Sequence, residues 1–308
     1  MTGAGRARKF ASLAPVTLLA AAAIAGCGND DDRQATAPSS DIPAATQGDS
    51  PANQVAKISG VVHVHGLGID PAGRELLIAA HEGLYKLPVG AAEAEPVSGS
   101  SNDFMGFTVV GAGSYLASGH PGPGSDQPNP LGLQASSDGG ASWQSRSLLG
   151  EADLHVLRAS GNRVYGVDSA SGALLVSSDG GRSWQQRELP APAFDLAVSP
   201  GDPERLVVAT QGGLFESDDA GMNWRGLAAD ATGLLTWPEP GKLLMVDASG
   251  NVMASSDGGE AFKAVGTIGA PPEAFGSGNG RVLAAVGGGL VLASTDGGMN
   301  WTTVVEPE

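Results

Sequence analysis

The stretch SSDGGASW at residues 136–143 recurs, with small changes, four more times in the chain. Every copy has a serine, an aspartate two positions later, a glycine two positions after the aspartate, and an aromatic residue at its end. The other copies are SSDGGRSW (177–184), SDDAGMNW (217–224), SSDGGEAF (255–262) and STDGGMNW (294–301). The aspartates, which recur every 38 to 41 residues, are Asp138, Asp179, Asp219, Asp257 and Asp296. A period of about forty residues is typical of the blades of a β-propeller.

The repeated motif has the chemistry of a tight turn. Its carboxylate can accept N–H bonds within the turn, its glycines permit a positive φ, and its aromatic ring can pack between neighbouring sheets. The motif resembles the Asp-box, or BNR repeat, of sialidases, sortilin-type receptors and photosystem assembly factors. In that family the box lies at the turn between the third and fourth strands of a blade. The resemblance therefore implies that the five aspartates are structural and not catalytic.

The segments between the motifs predict short apolar strands joined by glycine-containing turns, as in RLVVATQGGLFES (205–217). The segment RELLIAAHEGLYKLPV (74–89) has the same pattern without a box after it, which predicts a degenerate first blade. We expect an all-β, six-bladed propeller with blades starting near residues 60, 102, 152, 191, 230 and 270. A seventh blade would need roughly forty more residues. The segment QVAKISG (54–60) is a candidate to complete the last blade and close the ring.

The N-terminal 26 residues indicate a secretion signal, with Arg6, Arg8 and Lys9 before a short apolar stretch. That stretch ends in IAGC (24–27), which resembles the bacterial lipobox and implies lipidation of Cys27; the alternative is an ordinary signal peptide with an incidental cysteine. Residues 27–56 are polar and rich in Pro and Ser, which predicts a disordered tether. We expect an extracytoplasmic, membrane-anchored lipoprotein, monomeric, with its propeller domain at 57–308.

The chain is acidic, with a formal net charge of -16 and no basic stripe. Nucleic-acid binding depends on clustered positive charge, so this class of partner is not expected. The acidity is compatible with cation binding. The partners left are the membrane, through the lipid anchor, and a protein at the cell surface.

All five histidines of the chain fall in the first three predicted blades. In a propeller, the start of the innermost strand and the end of the second strand lie on one face, opposite the box turns. Alignment of the blades places the imidazoles at these positions, next to Asp103, Met105 and Asp153. The histidines are His63, His65, His81, His120 and His155. The sequence thus predicts either a metal or proton-handling site on this face, or imidazoles that only bond the loop backbone.

Imidazole ligands suit zinc, copper, iron and nickel, and the thioether of Met105 would favour copper. Met105 can equally be read as a core residue. Asp103 and Asp153 are candidate ligands, or acceptors that orient an imidazole. The cofactor expected from the sequence is copper or zinc. An insertion after His120, PGPGSDQPNPLG (121–132), is expected to form a wall or lid over the same face.

Together with the boxes, HVHGLGID (63–70), AAHEGLYKL (79–87) and EADLHVL (151–157) resemble a group of bacterial lipoproteins commonly labelled glycosyl hydrolase or exo-sialidase-like. The resemblance implies the sialidase-like fold, but a fold does not imply an activity. A sialidase would need an arginine cluster and a tyrosine nucleophile that the inner strands lack.

Three functions remain from the sequence. The first is a binding or assembly protein with a transition-metal site on the histidine-bearing face. The second is a glycoside hydrolase whose paired carboxylates are Asp103 and Asp153, since such enzymes need two carboxylates about 5 to 10 Å apart. The third is a protein-docking scaffold without a small ligand. Catalysis is less expected than binding.

Overall fold

The computed structural model describes residues 55–97, 101–228 and 231–308. The predicted signal peptide, the lipidation site Cys27 and nearly all of the predicted tether lie outside the described residues. Within the described part of the chain, no helix is long and apolar enough to cross a membrane. Helical structure there is limited to one 3-10 turn, Gly287–Gly289.

The described strands form four-stranded antiparallel meanders, here called blades 1 to 6, as expected for a β-propeller. Blades 1 and 2 contain β2 (Val64–Ile69), β3 (Leu76–Ala80), β4 (Gly83–Leu87) and β5 (Glu93–Pro96), then β6 (Asp103–Gly111), β7 (Ser114–His120), β8 (Leu133–Ser136) and β9 (Gln144–Ser147). Blades 3 and 4 contain β10 (Leu154–Ser160), β11 (Arg163–Asp168), β12 (Leu174–Ser177) and β13 (Gln185–Arg187), then β14 (Ala193–Ser199), β15 (Asp202–Thr210), β16 (Gly213–Ser217) and β17 (Arg225–Gly226). Blades 5 and 6 contain β18 (Leu234–Glu239), β19 (Lys242–Val246), β20 (Asn251–Ser255) and β21 (Lys263–Thr267), then β22 (Pro272–Gly278), β23 (Arg281–Val286), β24 (Leu290–Ser294) and β25 (Thr302–Pro307).

The innermost strands follow one another around a ring. Each of β2, β6, β10, β14 and β18 contacts the innermost strand of the next blade, and β22 of blade 6 contacts β2 of blade 1. A further strand, β1 (Ala56–Ile58), lies parallel to both β25 and β5. The segment expected to complete the last blade therefore pairs with the last blade and also with the outer strand of the first.

Burial explains the apolar strand sequences. All five residues of β3, LLIAA, are buried because both faces of the strand are covered by neighbouring blades. Between blades 1 and 2, for example, Leu77 and Leu84 pack against Phe104 and Tyr115. The outermost strands, such as β13 with the sequence QQR, are largely exposed and polar. The core of the domain is thus a set of layers between successive blades.

The box turns join the third and fourth strands of their blades, as the resemblance implied. In the first box, Ser136 Oγ and the backbone N–H of Ser142 both donate to Asp138 Oδ1, at 2.8 and 2.9 Å. The N–H of Gly140 donates to Ser136 Oγ at 2.8 Å. Gly140 has a φ of +87°, and a Cβ at this position would lie 2.5 Å from Leu84 Cδ2 of the preceding blade. The glycine is therefore required by both its backbone conformation and its packing.

Candidate metal-binding face

Five of the six innermost strands carry a one-residue bulge near their start. In β2, for example, Val64 is opposite Ala80 and Gly66 is opposite Ala79, so His65 has no partner of its own. A bulge inserts one extra residue and redirects its side chain, and bulges are common beside functional sites. The bulged residues of β2, β6, β10, β14 and β22 are His65, Met105, His155, Phe194 and Glu273. The corresponding part of β18 pairs regularly.

The bulged side chains line one central cavity of about 600 Å³ that the innermost strands surround. Arg158 and Asp195 also line this cavity and form an ion pair of 2.6 Å. The Asp195 side chain is buried, and the Arg158 side chain is partly exposed. The Asp195 carboxylate accepts the N–H groups of Leu196 and Leu235 as well. Its oxygens are therefore occupied by structural contacts.

The first group of ligand-type side chains, here called the first triad, consists of His65, His81 and Asp103. His81 Nδ1 lies 2.8 Å from Asp103 Oδ2, and His65 Nε2 lies 3.4 Å from Asp103 Oδ1. His65 Nε2 and Asp103 Oδ1 are both buried and make no hydrogen bond. One ligand atom from each of the three residues lies within 4.8 Å of the others. His65 and His81 come from blade 1, and Asp103 is the first residue of the inner strand of blade 2.

The second triad consists of His120, His155 and Asp153. His155 Nε2 lies 2.8 Å from Asp153 Oδ2, and His120 Nε2 lies 3.6 Å from the same oxygen. The other carboxylate oxygen, Asp153 Oδ1, is buried without a hydrogen-bond partner. His120 ends the second strand of blade 2, while Asp153 and His155 flank the start of the inner strand of blade 3. Ligand atoms of this triad also lie within 4.8 Å of one another.

Two residues outside the triads orient the second one. Asn129, from the insertion after β7, places its Oδ1 2.8 Å from His120 Nδ1. With Asn129 Oδ1 as the acceptor, the neutral tautomer that fits this contact has its proton on Nδ1 and its lone pair on Nε2, which is 3.6 Å from Asp153 Oδ2. Ser169 Oγ donates to Asp153 Oδ2 at 2.8 Å. Such outer contacts are what hold metal ligands in their binding orientation.

His63 lies beside the first triad but outside it. Its Nδ1 is 2.9 Å from Glu273 Oε1 of blade 6, and the other oxygen of Glu273 accepts the N–H of Val64. The rings of His63 and His65 meet edge to face with centroids 4.7 Å apart. His63 therefore borders the first triad and links it to the last blade.

The electrostatics of the two triads differ. Burial, with the neighbouring imidazoles, lowers the pKa of His65 to about 4, so this ring is neutral at physiological pH. Burial also raises the pKa of Asp103. At Asp153 burial acts in the same direction, but hydrogen bonds from His155 and Ser169 outweigh it and lower the pKa. The hydrogen bond to Asp153 in turn raises the pKa of His155.

The structure thus places all residues of the predicted metal site near the same end of the inner strands, where the ligand-type side chains form two groups and not one. Four of the five histidines divide between the triads, His63 contacts Glu273, and Met105 lines the cavity between the two histidine-bearing bulges. Sequence analysis did not identify Asn129 and Ser169 as part of the face. The signals available were the insertion itself, for Asn129, and the strand-end alignment with His81 and His120, for Ser169.

Comparisons with known proteins place the fold. The family model of the photosynthesis system II assembly factor YCF48 matches residues 131–262. A comparison with curated protein sequences finds no match. Among solved structures, YCF48 from Cyanidioschyzon merolae is 17% identical, with a TM-score of 0.50, over 79% of this chain and 84% of that one.

Two larger proteins contain a similar fold. A GH74 xyloglucanase from Xanthomonas campestris is 20% identical, with a TM-score of 0.54, over 79% of this chain and 38% of its own. PorZ, a surface component of the type-IX secretion system of Porphyromonas gingivalis, is 15% identical, with a TM-score of 0.53, over 83% of this chain and 39% of its own. The chain thus spans less than half the length of these two relatives. The repeated boxes, the four-stranded blades and these matches agree that the chain is a BNR-like β-propeller.

Proposed function

We propose that this chain is a lipid-anchored, extracytoplasmic binding or assembly protein whose histidine-bearing face holds a transition-metal ion, copper or zinc. The observation that carries the proposal is the pair His65 Nε2 and Asp103 Oδ1, which are 3.4 Å apart, buried, and without hydrogen-bond partners. Leaving a buried polar atom unpaired costs about 1–3 kcal/mol. A cation bound between these two atoms would give each of them a partner and so remove this cost.

The spacing of these atoms supports this explanation. Two ligands bonded to one tetrahedral zinc ion at about 2.0–2.2 Å lie about 3.3–3.5 Å apart. The third member of the triad, His81, has an exposed side chain that can turn from Asp103 Oδ2 toward a shared ion. Two imidazoles and one carboxylate, with further positions open, is a donor set found at protein zinc sites.

The protonation state of His65 also favours metal binding. A metal ligand must be deprotonated, and protons compete with the ion wherever the ligand is still charged. Because burial lowers the pKa of His65 to about 4, this ring is already deprotonated at neutral pH and can bind a metal ion without losing a proton. Imidazole suits both zinc and copper, and a contribution from the Met105 thioether would favour copper.

The binding or assembly role is supported by the match to an assembly-factor family model. The lipid anchor proposed at Cys27 would hold the propeller at the membrane surface, where a protein partner could dock. A docking scaffold without any ion predicts a copurifying membrane protein whose recovery does not change when the triads are mutated.

The experiment is a measurement of bound metal on the full chain purified in detergent, after exposure to copper or zinc and exhaustive dialysis. We expect tightly held metal in the parent chain and a loss of at least one ion per chain in a His65→Ala/His81→Ala variant. His63→Ala is the matched control, because His63 is a neighbouring imidazole outside both triads. Absence of retained metal in the parent chain, or equal loss in the control, would refute the proposal.

One observation favours a glycoside hydrolase as the second candidate. The pKa of Asp103 is raised and that of Asp153 is lowered, and divergent carboxyl pKa values are typical of an acid and base pair. This function predicts release of reducing sugar ends from a polysaccharide, abolished by Asp103→Asn. The metal proposal predicts no such release, with metal retention reduced in the same variant.

A further inference from the structure

We infer that the histidine-bearing face holds two metal ions, one in each triad, and not one ion shared among its histidines. The inference rests on the proposed function, since it assumes that ligand sets of this kind bind a transition metal here. It adds the second site, His120, Asp153 and His155, to the first.

The ligand sets are separate. The first triad draws on blades 1 and 2 and the second on blades 2 and 3, and they share no residue. Within each, the three ligand atoms lie within 4.8 Å of one another, as atoms around a single ion do. Each triad therefore supplies three ligand atoms for one ion without using a residue of the other triad.

Each triad also has its own unpaired acceptor. In the first triad it is Asp103 Oδ1, and in the second it is Asp153 Oδ1; both atoms are buried without a hydrogen-bond partner. Asp153 as a residue is only 8% exposed. The second carboxylate therefore keeps one oxygen, Oδ1, free for a cation, while its other oxygen, Oδ2, contacts both imidazoles of the triad.

The second triad has support that a chance group of histidines would lack. The contact between Asn129 Oδ1 and His120 Nδ1 favours the His120 tautomer whose lone pair is on Nε2, the ring nitrogen 3.6 Å from Asp153 Oδ2. Ser169 Oγ donates a hydrogen bond to Asp153 Oδ2 and so orients the carboxylate. An oriented imidazole beside an oriented carboxylate with one free oxygen is the arrangement that precedes metal binding at a built site.

The two triads are neighbours. Asp103 of the first is directly opposite His120 of the second in the β6–β7 ladder. Residues paired in this way have Cα atoms about 4.5–5.5 Å apart. Met105 occupies the bulge between the bulged histidines of blades 1 and 3 and lines the same central cavity. The geometry is that of a two-ion centre on three consecutive blades.

The test is the stoichiometry of zinc and copper on the full chain, by elemental analysis and calorimetric titration. We expect two ions per chain in the parent, one in His65→Ala/His81→Ala, one in His120→Ala/His155→Ala, and none in the combined variant. Asp153→Asn keeps the shape of the side chain and should remove the same ion as the second pair of substitutions. Near-ultraviolet circular dichroism of each variant, compared with the parent, checks that the variant is folded.

The outcomes separate the two proposals. One ion in the parent, lost in both double variants, means a single shared site: the two-ion inference is then wrong while the proposed function stands. One ion lost only with the first triad likewise overturns the inference. If the parent chain binds no ion, both the proposed function and this inference are wrong.

Discussion

The box glycines provide a quantitative test of how the blades pack. In Gly140→Ala the new methyl group would lie 2.5 Å from Leu84 Cδ2, about 1.0–1.5 Å inside the usual carbon contact of about 3.5–4.0 Å. Leu84 is fully buried between blades 1 and 2 and has little room to move. Overpacking of a core typically costs about 1–3 kcal/mol. The positive φ of 87° adds about 1–2 kcal/mol for a residue with a Cβ.

A matched control separates the two contributions. Gly172 also has a positive φ, +71°, but a Cβ there meets nothing within 4 Å. Gly172→Ala should therefore show only the conformational cost, and the difference between the variants should be the packing cost of about 1–3 kcal/mol. With a urea dependence of about 3 kcal/mol per molar, this difference corresponds to about 0.3–1 M in the unfolding midpoint. Equal midpoints for the two variants would refute the packing argument and leave φ as the only reason for the glycine.

Three further predictions concern the histidine-bearing face and the boxes. Asn129→Ala should weaken zinc binding at the second triad by about 10–100-fold and spare the first, measured by calorimetric titration, because it frees the His120 tautomer; an equal loss at both triads would contradict this role. The pKa of His155 is raised while that of His65 is lowered to about 4, so protons compete with a metal ion for His155 at a higher pH than for His65. Acidification from about pH 8 to about pH 5 should therefore release the second triad's ion first, which measurement of the metal content at each pH would show. Simultaneous release of both ions would contradict this assignment. Because hydrogen bonds from Ser142 lower the pKa of Asp138 from 3.8 to about 2, the stability that this group contributes is full above about pH 4 and is lost as the pH falls toward 2; Asp138→Asn should flatten the acid dependence of the thermal midpoint, and an unchanged slope would argue against it.

The fold could be predicted because its signals are local and repeated. Each box carries the serine, aspartate and glycine of one turn in eight residues, and the interval between boxes equals the length of one blade. The antiparallel order of the strands then determines which strand ends share a face. This order puts His81 and His120, almost forty residues apart, on the same face of the propeller.

The grouping of the side chains could not be predicted, since it depends on bulges and long-range contacts. A bulge needs no particular residue, and nothing in VVHVHGLGID distinguishes the extra residue His65 from its neighbours. The contact from Glu273 to Val64 joins residues 209 positions apart. Asn129 lies in an insertion without counterpart in the other blades, so the repeat says nothing about where its side chain points.

The two triads follow from the repeat itself. The carboxylate comes from the position two residues before the bulge, and one histidine comes from the end of the second strand; these are Asp103 with His81 in the first triad and Asp153 with His120 in the second. In each pair the histidine belongs to the blade before that of the aspartate, so the second pair is the first moved on by one blade. The third member of each triad is a bulged histidine, from blade 1 in the first triad and from blade 3 in the second.

The repeat of histidine and aspartate pairs stops at blade 4, because the chain has no imidazole or carboxylate side chains at the next positions. In the next step of the series the chain has Pro192 two residues before the bulge of blade 4, Phe194 in that bulge, and Ser169 at the end of the second strand of blade 3. None of these supplies an imidazole or a carboxylate, so the same backbone geometry cannot form a third triad there. Bulges occur on five blades, but the side chains at these positions confine the proposed metal sites to the first three. Gain of an ion on blade 4 would therefore require new side chains and no change in the fold.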